Sequence, residues 1–150
     1  MADQTIFTIG YEQATQAAVV SALRDAGVEV LADVRYLPLS RRPGFSKSSL
    51  RAAVEEAGIG YLHLKQLGTP AEGRAAARRG DHAELVRVYA GQLELPEALA
   101  QMAELRDLAE RKRVALLCYE RNAAECHRAL LFDALFADFT RVDLEPALVA

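Results

Sequence analysis

Val114-Ala115-Leu116-Leu117-Cys118 is apolar at every position and stops at the polar turn Tyr119-Glu120-Arg121-Asn122. A run that short reads as a buried strand. Asn122 stands three residues before Glu125, a capping-box spacing, so a helix is expected from Ala123 to about Phe136. Cys118 and Glu120 then fall at the carboxyl end of a strand. Cys126, His127 and Arg128 fall in the first turns of the helix that follows. In open α/β sheets ligands bind just outside the carboxyl ends of strands. A helix amino terminus at the same place offers free N–H groups and a dipole that favours an anion.

The same order of strand, polar loop and helix recurs upstream. Thr5 to Ile9 reads as a strand ending at Gly10, followed by a helix over Ala14 to Ala26 with Gly27 as its stop. Val28 to Val34 is mostly apolar, as a parallel strand buried on both faces must be. Tyr36 to Ser46 contains two prolines and a glycine and is a loop, and Ser46 is placed to cap a helix over Lys47 to Ala57. Ile59 to Leu64 is a third strand. Ala71 to Gly80 suits either a helix or a mobile lid. Asp81 with Glu84 caps a further helix, and Pro96 suits the first position of the next one. Thr140 to Leu144 reads as a last strand. Strands alternating with helices imply a single α/β domain: a mainly parallel sheet of four or five strands flanked by helices, Rossmann-like and three-layered.

Composition narrows the function classes. The chain has 150 residues, 51% apolar and 26% charged, with a net charge of −3. That argues against broad, non-specific binding of nucleic acid, though not against a local basic groove. Met1-Ala2-Asp3-Gln4 lacks the basic start of a secretory signal, and no run approaches the roughly 18 apolar residues of a membrane helix. A cytoplasmic protein with reduced thiols, away from membranes, is expected.

Four polar segments follow strands: Gly10-Tyr11-Glu12, Asp33 to Arg42, His63 to Thr69, and Cys118 to Arg128. In a parallel sheet they lie along one edge, so they predict one cleft holding arginines, acids, a histidine and thiols. The motifs GYE, DVR…P.SR…F.K..L, YLHLKQLG and LLCYE…..CHR together resemble the domain of unknown function 488 family. The resemblance spans about Ile6 to Leu131, with Cys-x-Glu-x5-Cys-His-Arg its most specific segment. It implies a compact α/β domain, found mainly in prokaryotes and without a settled activity. Its characteristic polar positions fall here on Gly10, Tyr11, Asp33, Arg35, Ser40, Arg41, Phe45, Glu120, Cys126, His127 and Arg128.

Each of these residues has a functional and a structural reading. Arg35, Arg41 and Arg42 suit a phosphate or carboxylate, since guanidinium forks match such groups; the alternative is ion pairs tying the loop to Asp33 or Glu120. Glu120 is the candidate general acid or base; its alternative is to hold Arg128. Cys126, near a helix start, is a candidate nucleophile or a packed wall, whereas Cys118 reads as core. Cys126 and His127 are neighbours in the expected helix and so point about 100° apart, which keeps them from pairing. Cys118, Cys126, His127 and His63 are of the right type to ligate a metal, but their spacing matches no standard zinc pattern and no Cys-x-x-Cys pair exists, so no metal site is expected. No cofactor is expected either, since Gly10 stands alone without a dinucleotide fingerprint. The site therefore comprises Glu120, Cys126 and His127 for chemistry, and Gly10, Tyr11, Asp33, Arg35, Ser40, Arg41, Arg42, Phe45 and Arg128 for binding.

The expected activity is that of an enzyme on a small anionic molecule, phosphorylated or nucleotide-like. The alternative is a nucleic-acid or nucleotide-binding module, with Arg41, Arg42, Lys47, Arg51, Arg74, Arg78 and Arg79 as a basic rim and Tyr36, Phe45 or Tyr119 for stacking. A third reading makes the helices between Asp81 and Arg111 an oligomer face.

Overall fold

The computed structural model describes residues 4–149, the side chain of Glu125 excepted. Five strands form one sheet: β1 (Thr5–Gly10), β2 (Val30–Asp33), β3 (Gly60–His63), β4 (Val114–Cys118) and β5 (Thr140–Leu144). All neighbouring pairs are parallel, in the spatial order β3-β2-β4-β1-β5. The helices are α1 (Gln16–Asp25), α2 (Lys47–Glu56), α3 (Ala71–Arg78), α4 (His82–Leu93), α5 (Pro96–Arg111) and α6 (His127–Leu135). This is the three-layer α/β arrangement expected from the alternation of strands and helices.

Period-two alternation assigns each strand residue to one of two cores. Phe7, Ile9, Leu31, Ala115 and Leu117 pack with Val19 and Leu23 of α1 and Leu50 and Val54 of α2. Ile6, Ala32, Val114 and Leu116 face the other way, against Tyr89 of α4, Leu105 of α5 and Leu131 of α6. β4 lies between β2 and β1 with every side chain buried, which is why its sequence has no polar position.

The chain leaves β1 towards α1 on one face and leaves the adjacent β4 towards α6 on the other. Parallel crossovers are right-handed, so opposite faces mean opposite directions of travel across the sheet. The loops therefore diverge above β1 and β4 and leave a crevice where such folds bind ligands.

Several boundaries differ from expectation. α1 begins at Gln16, because Thr15 accepts from Ala18 N and caps it. Ser46 precedes α2 without capping it; its hydroxyl is engaged with the backbone of Ser40. Residues 71–78 are helical. The largest difference is after β4. Asn122 does cap, accepting from Ala124 N at 3.0 Å, but it starts only a 3-10 turn, Ala123–Glu125. Cys126 is extended, with φ −124° and ψ 157°, and α6 begins at His127.

Candidate functional site

The site is built from Asp33, the last residue of β2, which is fully buried. A buried carboxylate is tolerated only when paired and hydrogen-bonded. Arg35 closes a fork on it: Nε donates to Oδ1 at 2.8 Å and Nη2 to Oδ2 at 2.7 Å. The Tyr61 hydroxyl on β3 donates to the same carboxylate. The remaining Arg35 nitrogen donates to the Phe45 carbonyl at 2.6 Å and to the Tyr11 hydroxyl at 3.2 Å. Burial opposes the Arg35 charge, but Asp33 outweighs it and holds the guanidinium above its ordinary pKa. Burial first, and then the Asp33 charge, push the Tyr61 hydroxyl up. Tyr11 and Phe45 stack with ring centroids 4.4 Å apart, and Tyr119 meets Tyr11 edge-on at 5.4 Å. Arg35 is thus a buried tie between the loops after β1 and β2.

A second tie sets the loop after β4. Arg128 is completely buried in α6 and its Nη2 donates to the backbone carbonyl of Glu120. Burial pushes its pKa down to about 10. Gly10 lies beneath the same turn, where a Cβ would stand 1.8 Å from the Glu120 carbonyl oxygen. Gly10 is therefore required for space; it is not among the residues with positive φ. Gly68 plays the same part under Tyr36, where a Cβ would stand 2.1 Å from the backbone nitrogen.

His127 is buried and its Nε2 lies 2.7 Å from the Val34 carbonyl. A carbonyl only accepts, so Nε2 carries the hydrogen. Burial pushes the His127 pKa down to about 4, against the pull of that carbonyl. At neutral pH the ring is uncharged and Nδ1 presents its lone pair, 3.6 Å from Cys126 Sγ. The expectation that these neighbours point apart is corrected: Cys126 caps the helix in extended conformation, so its sulfur turns back to the ring and accepts from Arg128 N. The expectation of separate, reduced thiols is corrected too. The turn after β4 returns Cys126 to the strand end, and Cys118 and Cys126 are joined in a disulfide. Glu120 Oε2 lies 3.6 Å from Cys118 Sγ.

These groups open onto a cavity of about 340 Å³ at the carboxyl edge of the sheet. Glu120, Cys118, Cys126 and His127 form one wall. Tyr11, Tyr36, Leu39, Leu85 and Tyr119 give it a largely apolar and aromatic lining, completed by Arg35, Ser40, Thr69 and Arg74. A wider lobe of about 690 Å³ shares Arg74, Tyr119 and Glu120 and adds Arg78 and His82. Of the expected binding residues, Tyr11, Arg35 and Ser40 line the inner cavity. Asp33, Phe45, Gly10 and Arg128 stand behind it as supports. Arg41 is exposed and does not line it, and Arg42 donates to the Ala14 carbonyl.

A family model described as Domain of unknown function DUF488 matches residues 15–135. The chain belongs to that family. No curated protein and no solved structure shows significant similarity to it. Among the described residues of this DUF488 chain, no helix is long and apolar enough to cross a membrane.

Sequence reasoning placed Thr69 in a cleft-forming segment, offered Tyr36 and Arg74 only for the nucleic-acid alternative, and missed Leu85 as part of the cavity. Arg74 and Arg78 are four apart on α3, a spacing that places both on one helix face. That signal was readable once residues 71–78 were taken as a helix.

Proposed function

We propose that the chain is an enzyme acting on a small molecule with a planar or apolar body and an anionic group, phosphorylated or nucleotide-like. The carrying observation is the two-lobed cavity. Its inner lobe places Glu120, Cys126 and His127 on an aromatic and apolar wall, and its outer lobe carries Arg74 and Arg78. The body of such a molecule meets Tyr36 and Tyr119, both of which line the inner lobe. Its anion meets Arg74 and Arg78 at the outer lobe: Arg74 gives Nη1 to the Thr69 carbonyl at 2.9 Å and keeps its other N–H groups, whereas Arg35 is forked onto Asp33 and Arg128 is fully buried behind the cavity. Glu120 lines both lobes, which supports it as the proposed general acid or base.

The alternative of a nucleic-acid-binding module draws less support. Arg51 pairs with Glu55 and Arg79 with Asp81, so part of the supposed basic rim is neutralised.

The reading is tested by thermal shift with inorganic phosphate, nucleoside monophosphates and short single-stranded oligonucleotides. A ligand that binds only the native state at 100 times its Kd stabilises by about 2.7 kcal/mol. A mononucleotide or phosphate ester should raise the melting temperature of the wild type, and Arg74→Ala with Arg78→Ala should lose at least tenfold in affinity. A shift unchanged in that double variant, or a strongly salt-dependent shift from oligonucleotides alone, would overturn it.

A further inference from the structure

We propose that in the reduced protein Cys118, Cys126 and His127 form a zinc site whose fourth position opens into the inner cavity. The inference rests on the enzymatic reading of that cavity and supplies its chemistry: hydrolysis, with Glu120 as general base. The two sulfurs and a histidine ring nitrogen lie within 4.8 Å of one another, and all three residues are buried. Two thiolates and one imidazole are a ligand set that catalytic zinc uses, with water in the remaining position.

Three further observations point the same way. The first is the orientation of His127. Its Nε2–H is fixed on the Val34 carbonyl and its Nδ1 lone pair faces Cys126 Sγ, which is how a metal-binding imidazole is held by its second nitrogen. The second is backbone spacing. The Cα atoms of Cys118 and Cys126 are 7.3 Å apart, wider than the roughly 4.4–6.8 Å that bridged cysteines usually span. Sulfurs bound to one zinc at about 2.3 Å stand roughly 3.8 Å apart, so the strand end and the helix cap need move little to admit the ion. The third is charge. Two buried thiolates need compensation, and Arg35, a buried cation of the lining, is already committed to Asp33. A divalent ion with two thiolates and a neutral imidazole sums to zero.

Zinc and the disulfide exclude each other. A thiol or phosphine reductant delivers two electrons, and with two protons the bridge becomes two thiols. Zinc then displaces both thiol protons. In the hydrolytic step the bound water gives a proton to Glu120 and adds as hydroxide to the substrate carbon. The bond to the leaving group breaks, and Glu120 returns the proton to it, so that R–X and water become R–OH and HX.

The test is anaerobic titration of the phosphine-reduced full chain with Co²⁺ and Zn²⁺. One Co²⁺ per chain should give a thiolate-to-cobalt charge-transfer band, with two protons released and both thiols slowed at least tenfold towards a disulfide reagent. Zn²⁺ should displace the cobalt and erase the band. Cys118→Ser and Cys126→Ser should each lose the band, His127→Ala should weaken binding at least tenfold, and Glu120→Gln should keep it. Acetohydroxamate should alter the visible cobalt spectrum by entering the fourth position. A reduced wild type without the band, or a band that survives in both serine variants, overturns the site. A spectrum unmoved by acetohydroxamate overturns the open position. Failure of the cavity reading looks different: the metal binds, but no anionic probe stabilises the chain through Arg74 and Arg78.

Discussion

Asp33 and Arg35 show how a residue that looks like a ligand contact can be a structural tie. Both side chains are almost wholly buried, and their fork joins β2 to the loops that carry Tyr11 and Phe45. Breaking such a pair leaves one charge buried without its counterpart, which costs about 3–5 kcal/mol. Asp33→Asn is therefore expected to lower the urea unfolding free energy by about 3 kcal/mol or more. A loss below about 1 kcal/mol would mean that water replaces the carboxylate and that the tie is weaker than its geometry implies. Gly10→Ala belongs to the same scale. The added methyl would overlap the Glu120 carbonyl, and overpacking of that kind costs about 1–3 kcal/mol. Because the clash is with backbone, it should also displace the Glu120 turn, which hydrogen–deuterium exchange at residues 119–122 would report as faster exchange. Unchanged exchange there would show that the strain is relieved on the β1 side instead.

At the scale of elements, the alternation of apolar runs and helical stretches carried most of the fold. β4 and β5 fall on the expected residues, and Gly27 and Gly58 follow α1 and α2 with positive φ, as helix stops do. The start of α6 was not legible. Asn122 has the right spacing to Glu125 and does cap a turn, yet that turn ends after three residues where Cys126 becomes extended. The second start, at His127, has a cysteine as its cap, a residue type that propensity does not favour there. The consequence was chemical, because an extended Cys126 meets both His127 and Cys118, whereas a helical one faces neither. The convergence of the polar loops at the edge of the sheet was legible, but which arginines line the cavity there depends on loop paths that pattern does not encode. Gly91 offers a clean test of the helix assignments. It lies within α4, has no atom within 4 Å of a would-be Cβ, and does not have a positive φ. Gly91→Ala should raise stability by about 0.5–1 kcal/mol through reduced chain entropy and better helix propensity. A destabilising effect in chemical denaturation would mean that this face of α4 is covered in solution, as the oligomer reading requires.

For the whole molecule, the histidine at the hub of the crevice couples folding to pH. His127 joins α6 to the end of β2 through the Val34 carbonyl, so its proton inventory is set by the assembled fold and not by α6 alone. In the unfolded chain the ring takes up its proton near pH 6.5, whereas burial lowers that value to about 4 in the fold. Between these values the unfolded state binds more protons, so acid favours unfolding. The contribution is fully present above the unfolded value and is lost as pH falls from about 6.5 towards 4, reaching about 3 kcal/mol at most. Carboxylates titrate in the lower part of the same window, so a falling stability curve alone does not isolate the histidine. His127→Gln does isolate it, since the amide can still donate to Val34 and does not ionise. In chelator-treated protein, urea unfolding followed from neutral to about pH 4.5 should show a steeper acid loss for wild type than for His127→Gln, with the gap opening below about pH 6.5. Parallel curves would mean that the ring takes up its proton in the fold at the same pH as in the unfolded chain, so that burial does not hold it neutral through the acid range.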